Sequence, residues 1–273
     1  MFNEIINEIV CSSDLIEMAE HLNKFINLSP SKKDINKLNV EINRALFPET
    51  LSGIFDGSSK AYIIYERCST ASFLNSLWIR RKSAIQNIKE LETIITIIQQ
   101  NYTKSQGARI SEDSVKQIMN YVNIEYNFYD ILKGEALHIL LFENSHLTVN
   151  SECVPKIMDN GDVNCALFIY HLKDECHCSP EHVFLHELGH VLQIKITGDS
   201  RKVPPSFLPF AKEAFPDIAK EIEPEVFADC FAMAVMYNSQ FSVYDPFDLI
   251  APTHKMLFQI YIQELARSNK IFQ

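Results

Sequence analysis

The chain has 273 residues, enough for one large domain or two small ones, and a net charge of -10 at pH 7. That acidity argues against broad binding to nucleic acid or to anionic membranes. No apolar stretch is long enough to span a bilayer, and only seven glycines favour a helical protein.

The first residues, Met1-Phe2-Asn3-Glu4-Ile5-Ile6-Asn7-Glu8, carry acids where a secretory signal needs bases. The seven cysteines are odd in number and irregularly spaced, so reduced thiols and a cytoplasmic protein are expected. Residues 3–26 place apolar side chains at helical spacing, and Ser29-Pro30 ends that run. A second helix is predicted over 31–46, stopping before Pro48, followed by a loop over 51–59. Residues 61 to about 102 form a long periodic segment, one helix or two with a break near 69–76. Within it Ile88, Leu91, Ile95 and Ile98 keep heptad spacing; so short a run reads as a core-facing stripe rather than a coiled coil. Arg80-Arg81-Lys82, the densest basic run, reads as a solvated helix end. Ser111 caps a further helix to about Leu132, with Glu112 and Asp113 in its first turn. Residues 1–133 hold no catalytic motif. This helical N-terminal region is expected to act as a wall, a lid, or a surface for a protein partner.

Residues 134–273 differ in character. Glu135 to Phe142, Leu147 to Val149 and Asn164 to Leu172 are strand candidates, which together require a small sheet. Cys176-His177-Cys178 follows. A structural zinc site wants four ligands and no second cluster is present, but a second metal or a thiolate latch stays open for Cys176 and Cys178. A helix N-terminus could also lower the Cys178 thiol pKa and make it reactive.

Ser179 is then a good N-cap, Pro180 suits the first helical position, and Glu181 suits the positive helix start. The helix carries His186-Glu187-Leu188-Gly189-His190, an HExxH motif. Histidines four apart project from one helix face, so both imidazoles can reach one metal ion. Glu187 then lies where it can take a proton from a metal-activated water. Gly189 costs about 1 kcal/mol of helix propensity against alanine, which close approach by another backbone would explain. Thr197-Gly198-Asp199 is a stop signal.

A catalytic zinc site wants a third protein ligand and an open position. Arg201 to Ser206 reads as a rim loop and Pro209 to Ile222 as a short helix. The next apolar helix contains Glu225 and Asp229, four apart on one face. Such like charges destabilise a helix by a few tenths of a kcal/mol, roughly, unless a cation lies between them. Glu225 is therefore the expected ligand. Asp229 is expected to accept the distal N–H of a ligating histidine, His186 in preference to His190. Ala228 is small enough to let this helix pack tightly on the first. Glu223 is the alternative ligand, weakened by its place before Pro224 and by Phe227 standing where a partner carboxylate would be. Tyr244-Asp245-Pro246 marks a turn, and Leu249 to Ile271 a final helix.

His186-Glu187-Leu188-Gly189-His190 followed by Glu225-x-x-Ala228-Asp229-x-Phe231-Ala232 resembles the gluzincin metallopeptidases, most of all the ImmA/IrrE-like group. The resemblance spans about residues 160–240. It departs from that group after Ala232, where Met233-Ala234-Val235-Met236-Tyr237 stands. It implies a zincin-like core over 134–273 in an α+β, predominantly helical protein. It also implies one zinc per chain on His186, His190 and Glu225, with Glu187 as general base and Asp229 supporting His186. In gluzincins a strand just before the HExxH helix edges the cleft and can pair with extended substrate; for 164–172 an internal position in the sheet is equally open. Members usually add a His or Tyr to stabilise the oxyanion, and Tyr170, Tyr237, Tyr244 and His254 are the candidates. The function this implies is hydrolysis of a peptide or protein amide. A regulatory protein that keeps the metal but not the turnover, with the helical half holding a protein partner, is the alternative. A zinc hydrolase for a non-peptide amide is a third.

Overall fold

The computed structural model describes residues 1–46, 54–55, 62–67, 73–74, 84–104, 107–132, 136–157, 163–173, 176, 178–209 and 223–237. Among these, helices predominate around small sheets, giving the expected α+β class.

The first predicted helix is two: α1 (Phe2–Val10) and α2 (Leu15–Asn27). The Asp14 carboxylate accepts from Glu17 N and starts α2 afresh, a local capping preference that periodicity alone does not register. α3 (Lys32–Leu46) follows as predicted. The loop expected at 51–59 contains a two-residue strand, β1 (Ile54–Phe55). The long helical segment expected over 61–102 is replaced in its first part by β2 (Tyr62–Arg67). The run Tyr62-Ile63-Ile64-Tyr65 is rich in aromatic and β-branched residues, and sheet pairing decides a segment that short. Phe73 and Leu74 are helical, and α4 (Ile88–Asn101), capped by Asn87, forms the segment's second part. Its Leu91, Ile94, Ile95 and Ile98 are buried, so the heptad-like run is a core stripe. Then come β3 (Tyr102–Lys104), α5 (Glu112–Tyr126) and α6 (Phe128–Leu132). Asn127, at φ 52°, takes the left-handed conformation that splits the predicted 111–132 helix.

The remaining elements are β4 (Ala136–Leu141), β5 (Asn144–His146), β6 (Ser151–Ile157), β7 (Val163–Ile169), α7 (Pro180–Thr197) and α8 (Glu223–Tyr237). The strand expected at 147–149 is instead the connection between β5 and β6. The main sheet runs β1-β2-β4-β7-β6, with β2, β4 and β7 parallel and β1 and β6 antiparallel to their neighbours. The strand just before the HExxH helix, β7, is therefore internal, and β6 is the edge among the described residues.

Alternation along β4 and β7 feeds two cores. Leu137, Ile139, Leu141, Cys165, Leu167 and Ile169 face a cluster built by α5, α6, α7 and α8. Leu140, Phe142, Ala166, Phe168 and Tyr170 face the other, built by α1 to α4. Helices thus cover both faces of the sheet, and the period of two decides which core each residue joins. The boundary expected after residue 133 coincides with no break in the described structure. β2 pairs with β4 across it, and α5 and α6 share a core with α7 and α8. The described helices α1 to α4 pack on the face of the sheet opposite α7. No described helix is long and apolar enough to cross a membrane.

Candidate metal centre

The site follows from how α7 and α8 meet. Ser179 Oγ accepts from His182 N, Pro180 occupies the first turn, and Gly198 ends α7 at φ 68°, as its sequence requires. Gly189 lies against the α8 backbone: a Cβ there would be 2.7 Å from Ala228 Cα and 3.0 Å from Ala228 O. The missing side chain on α7 and the small one on α8 let the two helices touch. Glu225 and Asp229, one turn apart around Ala228, are thereby brought to the histidine face of α7.

His186 Nε2 is 3.1 Å from His190 Nε2 and 3.2 Å from Glu225 Oε2, and His190 Nε2 is 3.4 Å from Glu225 Oε1. His186, His190 and Glu225 form the one His/Cys/Asp/Glu group among the described residues suited to hold a metal ion. Three ligands at about 2.1 Å from a tetrahedral zinc would be about 3.4 Å apart, so this spacing fits. Glu225 is exposed, and the cluster opens to solvent on its side. Glu223, the alternative ligand, is outside the group.

Hydrogen bonds behind the histidines fix which nitrogen is free. His186 Nδ1 is 2.6 Å from Asp229 Oδ1, and a carboxylate only accepts, so Nδ1 carries the proton. The Gln193 amide is buried, and its Nε2 donates to the carbonyls of Asp199 and Lys202. Its Oε1 is thereby turned to His190 Nδ1, 3.3 Å away, which must donate. Both Nε2 atoms are thereby turned towards the Glu225 carboxylate, the convergence a cation would satisfy once it displaces the proton of His186. The predicted rim loop at 201–206 carries part of this support through the Lys202 carbonyl, and its Val203 is buried in the core.

The ionisable groups respond accordingly. Burial opposes the His186 imidazolium, but hydrogen bonds to Asp229 and Glu225 and the surrounding negative charges raise its pKa to about 10. Hydrogen bonds from His186 and His190 hold the Glu225 carboxyl far below its usual range. Burial works against the ionised Asp229, yet bonds from His182 and His186 keep it at about 2. Glu187 goes the other way. It is 4% exposed, and burial raises its pKa, while the His186 and His190 charges and Ser151 pull it down. Ser151 Oγ donates to Glu187 Oε1 at 2.6 Å from the head of edge strand β6. Glu187 Oε2 is buried without a hydrogen-bond partner.

His186, His190, Glu225 and Asp229 are therefore brought together, and Glu187 lies close enough for the charges of His186, His190 and Glu225 to act on it. The other expectations fare differently. Tyr170 packs its ring on Tyr102, Phe142 and His146 in the core behind the sheet, so it does not face the site. Tyr237 ends α8, and nothing is described of its side chain; Tyr244, His254, Arg80 to Lys82 and the helices expected at 209–222 and 249–271 lie outside the described residues. Cys11, Cys153, Cys165, Cys176, Cys178 and Cys230 are free thiols. Burial, with Cys176 and Asp229 nearby, pushes the Cys178 thiol up to about 11, the opposite direction from the lowering that a helix start could give. Asn150 Nδ2 donates to Cys176 Sγ at 3.5 Å, and neither thiol joins the metal-binding group. Ser151, His182 and Gln193 were not picked out by sequence. Only the helical spacing of His182 and Gln193 from the motif could have signalled them.

Comparison with protein-family models, curated proteins and solved structures finds no match to this chain.

Proposed function

We propose that the chain is a zinc-dependent peptidase of the gluzincin kind, with His186, His190 and Glu225 as ligands and Glu187 as general base. One observation carries the reading: His186 Nε2 and His190 Nε2 lie 3.1 Å apart, with Glu225 Oε2 3.2 Å from the first and Glu225 Oε1 3.4 Å from the second, and the residue next to His186 is a buried carboxylate with one oxygen unpaired. A purely structural site has no use for that carboxylate. When bound, zinc would polarise the scissile carbonyl and bring the pKa of a water towards about 7. Glu187 takes the water proton and returns it to the leaving nitrogen. Its burial suits both halves of that task, because a carboxyl with a raised pKa holds a proton longer before giving it up. Ser151 restrains the carboxylate from the other side. Asp229 and Gln193 keep the two imidazoles in the ligating tautomer. An extended peptide would lie along β6, the edge strand among the described residues, whose first residue already touches Glu187.

The test is Glu187→Gln on the full chain with casein as an unstructured substrate. The variant should retain one zinc per chain by elemental analysis and lose at least about a hundredfold in rate. Unchanged cleavage would remove Glu187 from the mechanism. No bound zinc in the wild type under zinc-replete conditions would overturn the reading of the site.

A further inference from the structure

We infer that His182 is a positioning residue for the metal centre, locking the Asp229 carboxylate against His186. The inference rests on the reading of the site as a zinc centre. His182 stands one turn before His186, so His182, His186 and His190 form one stripe along α7. Its side chain is buried at the α7–α8 contact, and its Nε2 lies 3.5 Å from Asp229 Oδ1. The same oxygen meets His186 Nδ1 at 2.6 Å. It thus lies between the two rings, at hydrogen-bond distance from His186 and at the longer 3.5 Å from His182, and a proton on His182 Nε2 makes that ring the second donor.

The geometry separates two jobs. His186 reaches the metal, and its ring is free to turn about its own side-chain bonds unless Asp229 holds it. Asp229 in turn sits on α8 with two side-chain rotations of its own. A clamp made of His186 and Asp229 alone would let both partners drift together. His182 adds a fixed point that does not depend on metal. It is anchored in the first turn of α7, where Ser179 Oγ accepts from its backbone N–H, and it is walled in by the core. The carboxylate is thus aimed before any ion arrives, and His186 Nε2 points at His190 and Glu225 in advance. A histidine that merely fills space at a helix contact would need no acceptor shared with a ligand.

The experiment measures the zinc dissociation constant by competition with a chromophoric chelator, for the full chain and four variants: His182→Phe, His182→Gln, Asp229→Ala and the double variant Asp229→Ala with His182→Phe. The thermal transition of each metal-free protein is followed alongside. His182→Phe keeps the ring volume and removes the donor. It should loosen zinc by about ten- to a hundredfold, the usual effect of losing a partner behind a ligand. His182→Gln keeps an N–H within reach of Asp229 and should recover most of that loss. In an Asp229→Ala background, His182→Phe should cost little more, because His182 acts through Asp229. Equal zinc affinity in wild type and His182→Phe would overturn the inference and leave the zinc centre standing. So would an undiminished loss in the Asp229→Ala background. Should His182→Phe lose its thermal transition, His182→Gln against His182→Leu decides on the same readout. A wild type that takes up no zinc overturns the underlying reading instead.

Discussion

Ser151 and Glu187 meet across 36 residues of chain, edge strand to helix, through a single hydrogen bond of 2.6 Å. Ser151 bonds one carboxylate oxygen, and the other is buried and unpaired; in the proposed mechanism that second oxygen takes the water proton. Ser151→Ala removes the restraint without touching a ligand. The expected outcome is a loss of about tenfold in kcat, a fraction of what a general base contributes, with KM and zinc content unchanged. Steady-state kinetics on a peptide substrate check it, and a fall confined to KM would show that Ser151 contacts substrate instead. The HExxH residues, Glu225 and Asp229 were legible in the sequence because helical spacing is local: four residues apart means one face, wherever the helix is packed. Ser151 was not, since nothing in a strand's own pattern says which helix will cross its end. Gln193 and His182 were half-legible. Their faces follow from α7, but their partners come from the Lys202 loop and from α8.

At the scale of elements, the contact of α7 with α8 sets the distance between the histidines and the carboxylates. Gly189 was expected to mark a close backbone approach, and Ala228 to permit it; the 2.7 Å separation bears out both. An exposed Gly→Ala in a helix gains about 1 kcal/mol. Here the new methyl would collide with backbone, which cannot rotate aside as a side chain can. Gly189→Ala is therefore expected to cost about 1–3 kcal/mol of stability. It should also weaken zinc, because α8 carries Glu225 away from the histidine pair as it moves. Thermal denaturation with and without zinc tests this: a variant as stable as wild type would show that the helices part easily. The N-terminal elements were less legible for a related reason. Asp14 and Asn127 interrupt apolar periods that continue on both sides, so the helices were read through their breaks. Tyr62–Arg67 carries side chains that suit either state, and pairing with β4 decides it. The order of strands, and with it the choice of β6 rather than β7 as the edge, lies in tertiary contacts that no local spacing encodes.

For the molecule as a whole, the site charges couple metal binding to global stability, because α7 and α8 belong to the larger core. In the metal-free protein, Asp229 has its pKa lowered from 3.8 to about 2, so its contribution is complete above pH 3.8 and is lost as pH falls towards 2. His186 has its pKa raised from 6.5 to about 10, so its contribution is complete below pH 6.5 and is lost as pH rises towards 10. Glu187, raised by burial, favours its protonated form and adds to the decline above its unfolded value of 4.5. Metal-free stability should therefore be greatest near about pH 4.5, decline above it with Glu187 and more steeply above about pH 6.5 with His186, and fall below about pH 4 with Asp229. Zinc needs the His186 lone pair and must displace its proton. Below pH 10 its apparent affinity should rise by up to about tenfold for each pH unit gained. Binding to the folded state alone raises stability in proportion to the logarithm of that affinity. The difference in Tm between zinc-loaded and metal-free protein should thus widen steadily from pH 6 to pH 9, as the metal-free transition falls and the loaded one holds. Calorimetry at fixed free zinc across that range measures it directly. A difference that stays constant with pH would mean that no proton is exchanged at His186, and that zinc, if bound, is held elsewhere.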